Sequence, residues 1–327
     1  MHALTVLYGA SLASQAFEPV FGGKSAFSLA IKQAAAFPGS EKTMLLANEG
    51  DISGLPGSFF EETNVTVVKK PAWTVSELLK TLSEASSGYD FAYYAWADSP
   101  FLDAPLAGRI AERHTRYAAE YSFADGWPGG LGPELVNSET AGILFKIAGE
   151  AGAGPVRRDS IFSVLQKDIN SFDIETEISM EDLRHFRLSF TADSKRNLLL
   201  LERFAEIFLS DAAKNESYAD DAAKIIAGHP EYLRTLPAFF PIQVSGPCPQ
   251  KTTASCSLCP YPQFGAKGGS VYERADFFEP ADFAALLDTI EQFAGDGVID
   301  LSLWGEIALH PKREELISLF WTGPRFP

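Results

Sequence analysis

Short apolar runs that alternate with segments of helical period constrain this chain before anything else does. Ala3-Leu-Thr-Val-Leu-Tyr8 ends at Gly9, and Ser25 to Phe37 carries Phe27, Ala30, Ile31, Ala34 and Ala35 at helical spacing, with Ser25 placed to cap. Thr43 to Ala47 and Val65 to Val68 read as further strands, and Val75 to Ala85 as a helix with Leu78, Leu79 and Leu82 on one face. Phe91 to Trp96 reads as an aromatic strand leading to a helix from Pro105 to Tyr117. Strands that are apolar on both faces need cover on both faces, so this alternation predicts a mostly parallel α/β sandwich. The 327 residues leave room for two domains, and 46% hydrophobic residues with 12% aromatics are enough to fill their cores.

Open α/β sheets bind ligands beyond the carboxyl ends of their strands. After the first strand, Gly22-Gly-Lys24 sits between strand and helix. It is either a phosphate-holding turn with one Lys or a plain turn with a solvated Lys. After Trp96 comes Ala97-Asp98-Ser-Pro-Phe-Leu-Asp103. Asp98 is a candidate Mg²⁺ ligand there, the other available role being an acid at a helix N-terminus, which Asp103 fits better. Asn197 to Leu209 and Ser217 to Ala227 read as packing helices without a chemical motif. The formal net charge of −16 argues against nucleic acid or an anionic membrane as partner, so a phosphate-bearing ligand has to be held by local contacts. No apolar run approaches the roughly 20 residues that cross a bilayer.

All three cysteines fall in one stretch, Cys248-Pro-Gln-Lys-Thr-Thr-Ala-Ser-Cys256-Ser-Leu-Cys259. Three thiolates suit three irons of a cubane cluster, the fourth taking a ligand from elsewhere or staying open. Zinc would want a fourth ligand, and His310 is the nearby histidine. With no even-numbered cysteine framework and no export signal, the thiols are expected to be reduced and the chain cytoplasmic. Four prolines between Pro230 and Pro247 mark a boundary, which divides the chain into 1–236 and 237–327. Beyond it, Phe240 to Ser245 and Val298 to Trp304 read as strands, Glu279-Pro-Ala-Asp282 as the start of a helix, and Lys312 to Phe320 as another helix. Strand, helix, strand, helix is how a parallel β/α barrel begins.

The first region resembles the nucleotide-diphospho-sugar transferases, among them the cytidylyltransferases. The likeness rests on Gly9-Ala-Ser11, Gly22-Gly-Lys24, Ala97-Asp98-Ser-Pro-Phe-Leu-Asp103, the stretch from Tyr121 to Val136, and Leu188-Ser-Phe-Thr-Ala-Asp193. It implies that Asp98 and Asp193 bind Mg²⁺ with a nucleotide, toward which Lys24 would contribute. The family's first loop grips the triphosphate with an Arg and a Lys, whereas the matching positions here are Leu12 and Ala16. Nucleotidyl transfer is therefore expected to be lost, with nucleotide or sugar binding retained.

The second region resembles the radical SAM superfamily, on the cysteine stretch with Leu258 before its last Cys, on Leu301-Ser-Leu-Trp-Gly305-Glu306, and on Leu309-His-Pro311. The resemblance implies a [4Fe–4S] cluster on Cys248, Cys256 and Cys259, and S-adenosylmethionine bound at its open iron with Gly305 and Glu306 meeting the cofactor's ammonium. It also implies reductive formation of a 5′-deoxyadenosyl radical, an electron donor and a peptide substrate. Seven residues precede Cys256 after Cys248 where the family has three, which puts Cys248 in question. The combination looks like the spiro-SPASM proteins, and the chain's ending is expected to leave the barrel truncated. A cytidylyltransferase-like protein and a non-catalytic zinc-binding protein are the competing readings.

Overall fold

The first strand, β1 (Ala3–Tyr8), is buried along its whole length because its two faces serve two different cores. Ala3 and Leu7 point into one, Leu4, Val6 and Tyr8 into the other. A strand alternates its side chains between faces, so apolar residues on both faces force helices onto both sides of the sheet. The computed structural model describes residues 1–51, 64–209, 217–245, 277–302 and 307–320. The chain forms two compact units, Met1–Thr235 and Leu236–Pro327.

In the first unit β1 is joined by β2 (Ser40–Asn48), β3 (Val65–Lys70), β4 (Phe91–Trp96), β5 (Tyr121–Asp125), β6 (Glu134–Val136) and β7 (Ile174–Ile178) in the spatial order β3-β2-β1-β4-β6-β5-β7. All neighbours run parallel except β6, which is antiparallel to both β4 and β5. One face is covered by α1 (Ala26–Ala34), α3 (Ala104–Arg116), α6 (Lys195–Phe208) and α7 (Tyr218–Gly228), through residues such as Phe27, Ile110, Phe204 and Ile226. The other is covered by α2 (Val75–Ala85), α4 (Ser138–Ala148) and α5 (Ser160–Leu165), through Leu79, Leu144 and Ile161. The expected mostly parallel α/β architecture is therefore present, with β1, β4 and α2 at the anticipated bounds. Ser25 caps α1 as expected, its hydroxyl accepting from Ser28 N while Ser28 Oγ accepts from Ser25 N.

The buried carboxylate of Asp103 starts two helices at once. Its Oδ2 accepts from Leu106 N of α3 (2.9 Å) and from the Ser217 hydroxyl (2.9 Å), and its Oδ1 accepts from Tyr218 N at the head of α7 (2.7 Å). Ser217 in turn caps α7 through Asp220 N. These contacts replace the water that a carboxylate loses on burial, and they tie α7 to the sheet.

In the second unit, β8 (Phe239–Pro241) pairs in parallel with β9 (Val298–Asp300), and the chain between them includes α8 (Pro280–Ala294). Ile242, Val244, Phe283, Leu287 and Ile290 build its core together with Leu316 of α9 (Arg313–Ser318). The ladder is shorter than either expected strand: the paired residues stop at Pro241 and Asp300. No helix among the described residues is long and apolar enough to cross a membrane.

Replacing Asp103 with Ala removes a cap from α3 and the anchor of α7 together. Loss of about 2–4 kcal/mol is expected in urea denaturation, with amide exchange rising first in residues 218–228. A loss below about 1 kcal/mol would show that the shared carboxylate is not what holds α7.

Candidate functional site

β1 and β4 lie side by side with Tyr8 opposite Trp96, yet the chain proceeds from β1 to β2 on one side and from β4 toward β6 on the other. The order of strands thus reverses between them, and the loops leaving their carboxyl ends diverge around a crevice. Asp98 stands there, 1% exposed.

The stretch 188–193 is drawn to the same place by backbone bonds. Phe190 N donates to Gly129 O (2.7 Å), and Ala192 N donates to Asp98 O (2.8 Å). Gly130 makes the first approach feasible: its φ is +89°, and a Cβ there would lie 2.6 Å from Phe190 O. Asp193, just ahead of α6, is consequently brought beside Asp98, ninety-five positions earlier in the chain, by contacts that involve neither side chain.

The third member is Arg158. The segment that carries it is pinned by a bridge between Thr74 and Pro155, by Val75 N donating to Gly154 O (3.1 Å), and by the start of α5. Arg158 donates through Nη1 to Asp98 Oδ1 (3.2 Å), and through Nη2 to Asp98 Oδ2 (2.5 Å) and Asp193 Oδ2 (3.0 Å). Its guanidinium carbon also lies 4.5 Å from the centre of the Trp96 ring, a cation–π contact. Asp193 Oδ2 accepts in addition from Thr191 Oγ1 (2.9 Å), and Asp193 Oδ1 accepts from Asn197 Nδ2 (2.7 Å). Burial pushes the Asp98 carboxyl up from its ordinary value, and the charge and hydrogen bonds of Arg158 oppose that rise. As arranged, every oxygen of the two carboxylates already accepts a protein hydrogen bond, and three of the four accept from one guanidinium. The pair therefore does not fit a divalent cation without displacing Arg158.

Next to this bridge is a cavity of about 360 Å³ walled by Tyr94, Trp96, Tyr121, Phe123 and Phe162, with Arg158 at its edge. Tyr94 is 1% exposed, and among the described residues neither its hydroxyl nor Trp96 Nε1 has a hydrogen-bond partner; the two groups influence each other without meeting in a normal hydrogen bond. Glu134 of β6 faces the same space and accepts from the Tyr121 hydroxyl (2.6 Å). Burial, and secondarily the charge of Asp159, raise the Glu134 carboxyl to about 7, against the hydrogen bond from Tyr121.

The loop after β1 anchors itself to the core through a few apolar side chains, while Ser11, Ser14, Glu18 and Pro19 are exposed. Ala16 is fully buried, Leu12 packs against the same cluster, and Phe17 lies 5.2 Å ring to ring from Phe27 of α1. Gly22 (φ +59°) and Gly23 (φ +82°) form a tight two-residue turn in which Phe21 N donates to Lys24 O and Lys24 N donates to Phe21 O. Lys24 itself is exposed beyond that turn. Of the residues anticipated from the sequence, Asp98 and Asp193 are brought together and Lys24 sits on the glycine turn. Cys248, Cys256, Cys259, Gly305 and Glu306 lie outside the described residues. His310 is 1% exposed; its Nε2 donates to Phe278 O (3.0 Å) and its Nδ1 accepts from Lys312 N (3.0 Å), so both ring nitrogens have protein partners. Among the described residues no group of three or more His, Cys, Asp or Glu side chains could hold a metal ion. Arg158, Glu134 and the aromatic wall were not singled out in the sequence.

No protein-family model matches the chain. It is 32% identical over 151 residues to an uncharacterized protein of Treponema pallidum (strain Nichols), a match covering 46% of this chain and 37% of that one. A second uncharacterized protein of that organism is 26% identical over 143 residues, covering 40% of this chain and 64% of its own length. The chain thus spans less than two thirds of the curated relatives it matches. Among solved structures, a cytidylyltransferase from Leptospira borgpetersenii serovar Hardjo-bovis (strain JB197) superposes with a TM-score of 0.57 at 14% identity, over 72% of this chain and 99% of that one. The likeness is one of fold: the amino-terminal part of the chain is a nucleotidyltransferase-like α/β domain.

Glu134→Gln tests the acid at the pocket. A carboxyl raised from 4.5 to about 7 contributes stability below pH 4.5 that is lost as pH rises through 7. The variant should therefore match wild type near pH 5 and exceed it by about 1–3 kcal/mol at pH 8 in urea denaturation. A difference that does not change with pH would contradict the raised carboxyl.

Proposed function

We propose that residues 1–235 form a ligand-binding domain on the nucleotidyltransferase fold that does not transfer nucleotidyl groups. One observation carries the reading: where the resembled family grips a triphosphate with cations, the loop after β1 has a half-buried Leu12 packed against the core and a fully buried Ala16, neither of which offers a charge. A triphosphate bound there would lack charge-assisted hydrogen bonds, in a chain of net charge −16. The cavity beside Trp96 supports retained binding. Its aromatic walls match the apolar face of a sugar ring, and the Trp96 and Tyr94 donors would meet a hydroxyl or carbonyl oxygen. Mg²⁺ chemistry at Asp98 and Asp193 forms no part of this function. Incubated with CTP or UTP, Mg²⁺ and candidate sugar phosphates, the protein should release no pyrophosphate above a buffer control. Robust release would overturn the proposal.

For Leu236–Pro327 we propose a separate origin in the radical SAM superfamily, with Cys248, Cys256 and Cys259 as ligands of a [4Fe–4S] cluster and Gly305-Glu306 as contacts of S-adenosylmethionine. The chain order supports it. The cysteine stretch follows β8, α8 comes next, and Gly305-Glu306 follows the parallel partner β9. A reduced cytoplasmic setting, an electron donor and a peptide substrate belong to the same proposal. Since His310 already has two protein partners, a zinc site completed by His310 is the weaker alternative. Anaerobic reconstitution with iron and sulfide should give the broad visible absorption of a cubane cluster, abolished when Cys256 and Cys259 are both replaced by Ala. Stoichiometric zinc uptake without iron would refute it.

A further inference from the structure

The bridge at the switch point raises a question of occupancy: a deeply buried Asp98 and an adjacent Asp193 need a positive partner, and only one can hold the same oxygens. Arg158 meets the requirement on three counts. Its planar fork engages both oxygens of Asp98, its Nη2 reaches Asp193, and its face is stacked on Trp96. Guanidinium is never deprotonated in proteins, so the charge is permanent. A divalent cation shared by the two carboxylates would have to sit between them, where Arg158 Nη2, bonded to both, already places a positive charge that would repel it. Backbone contacts alone place the two aspartates together, so the carboxylate pair does not depend on Arg158 for its assembly.

We infer that Arg158 is the resident cation of this site and that it bars divalent metal: the pair Asp98–Asp193 is a latent divalent-cation site that opens when the guanidinium is removed. The inference deepens the binding-domain reading and rests on it only for where a metal would sit. It makes ligand binding in the adjacent cavity independent of metal, because the cation at the cavity's edge is part of the chain.

The probe is Mn²⁺ alone, followed by its electron paramagnetic resonance signal and by thermal shift, on the full chain. Wild type should show no binding below millimolar Mn²⁺. Arg158→Ala should bind one Mn²⁺ at least about 100-fold more tightly, with a rise in melting temperature on adding metal that wild type lacks. Arg158→Gln, which keeps most of the volume and can still donate to Asp98, covers the case in which the alanine variant does not fold, and should bind more tightly than wild type in the same assay. Adding Asp98→Asn to either variant should abolish the gain. Equal Mn²⁺ affinity in wild type and variants, whether tight or absent, overturns the inference, as does a gain that survives Asp98→Asn. The two readings fail separately. A wild-type protein that binds Mn²⁺ tightly yet releases no pyrophosphate from CTP refutes the resident cation alone, and pyrophosphate release refutes the binding-domain reading.

Discussion

The architecture of the first unit follows from one constraint: β1 and β4 carry apolar side chains on both faces and have to be buried from both sides. Two cores result: the connections leaving β1 and β4 run in opposite directions along the sheet with α1 and α3 both on one face, while α2, α4 and α5 cover the other. The divergence of those connections is what opens a crevice at the carboxyl ends. The crevice is thus a by-product of hydrophobic burial, and chemistry enters only through the residues placed on its rim. Asp98 arrives there because β4 ends two residues before it, and Asp193 because its segment bonds to the backbone of Asp98.

Burying a carboxylate without a counter-charge is costly, and in an acidic chain few cations are at hand. In a metal-dependent site the solvent can supply that cation as an ion, and the protein supplies only oxygens. Here the sequence supplies both partners. The electrostatic balance is local and covalently fixed, whereas a metal-bound pair would vary with ionic conditions. Glu134 on the pocket wall shows the other response of a buried acid, which is to hold its proton to a higher pH than an exposed one.

Much of the scaffold was legible in the sequence because it is written in short-range patterns: the apolar run of β1, the leucine face of α2, the serine that caps α1. What escaped was encoded otherwise. β6 has three residues, and β7 reads Ile-Glu-Thr-Glu-Ile at the sheet's edge, so neither stands out against a polar loop. Asp98 was readable because an acid after a parallel strand has positional meaning. Arg158 was not, since it is separated from Asp98 by 60 residues and from Asp193 by 35, and nothing about an Arg-Arg-Asp triplet ahead of a short helix points to either. The glycine turn admitted two readings because sequence shows the residues without showing whether their N–H groups face outward; here Phe21 and Lys24 spend theirs on each other.

The lone donors of Trp96 and Tyr94 have a consequence for selectivity. An indole N–H cannot accept and cannot be silenced by a neighbouring donor, so a purely hydrocarbon guest would leave both groups as they already stand, buried and unpaired, whereas an oxygen within reach would pair them. A hydrocarbon guest would gain nothing from either donor, and one that carries a well-placed oxygen would gain a hydrogen bond that the empty site lacks. Discrimination of that kind needs no charge and no movement of the protein.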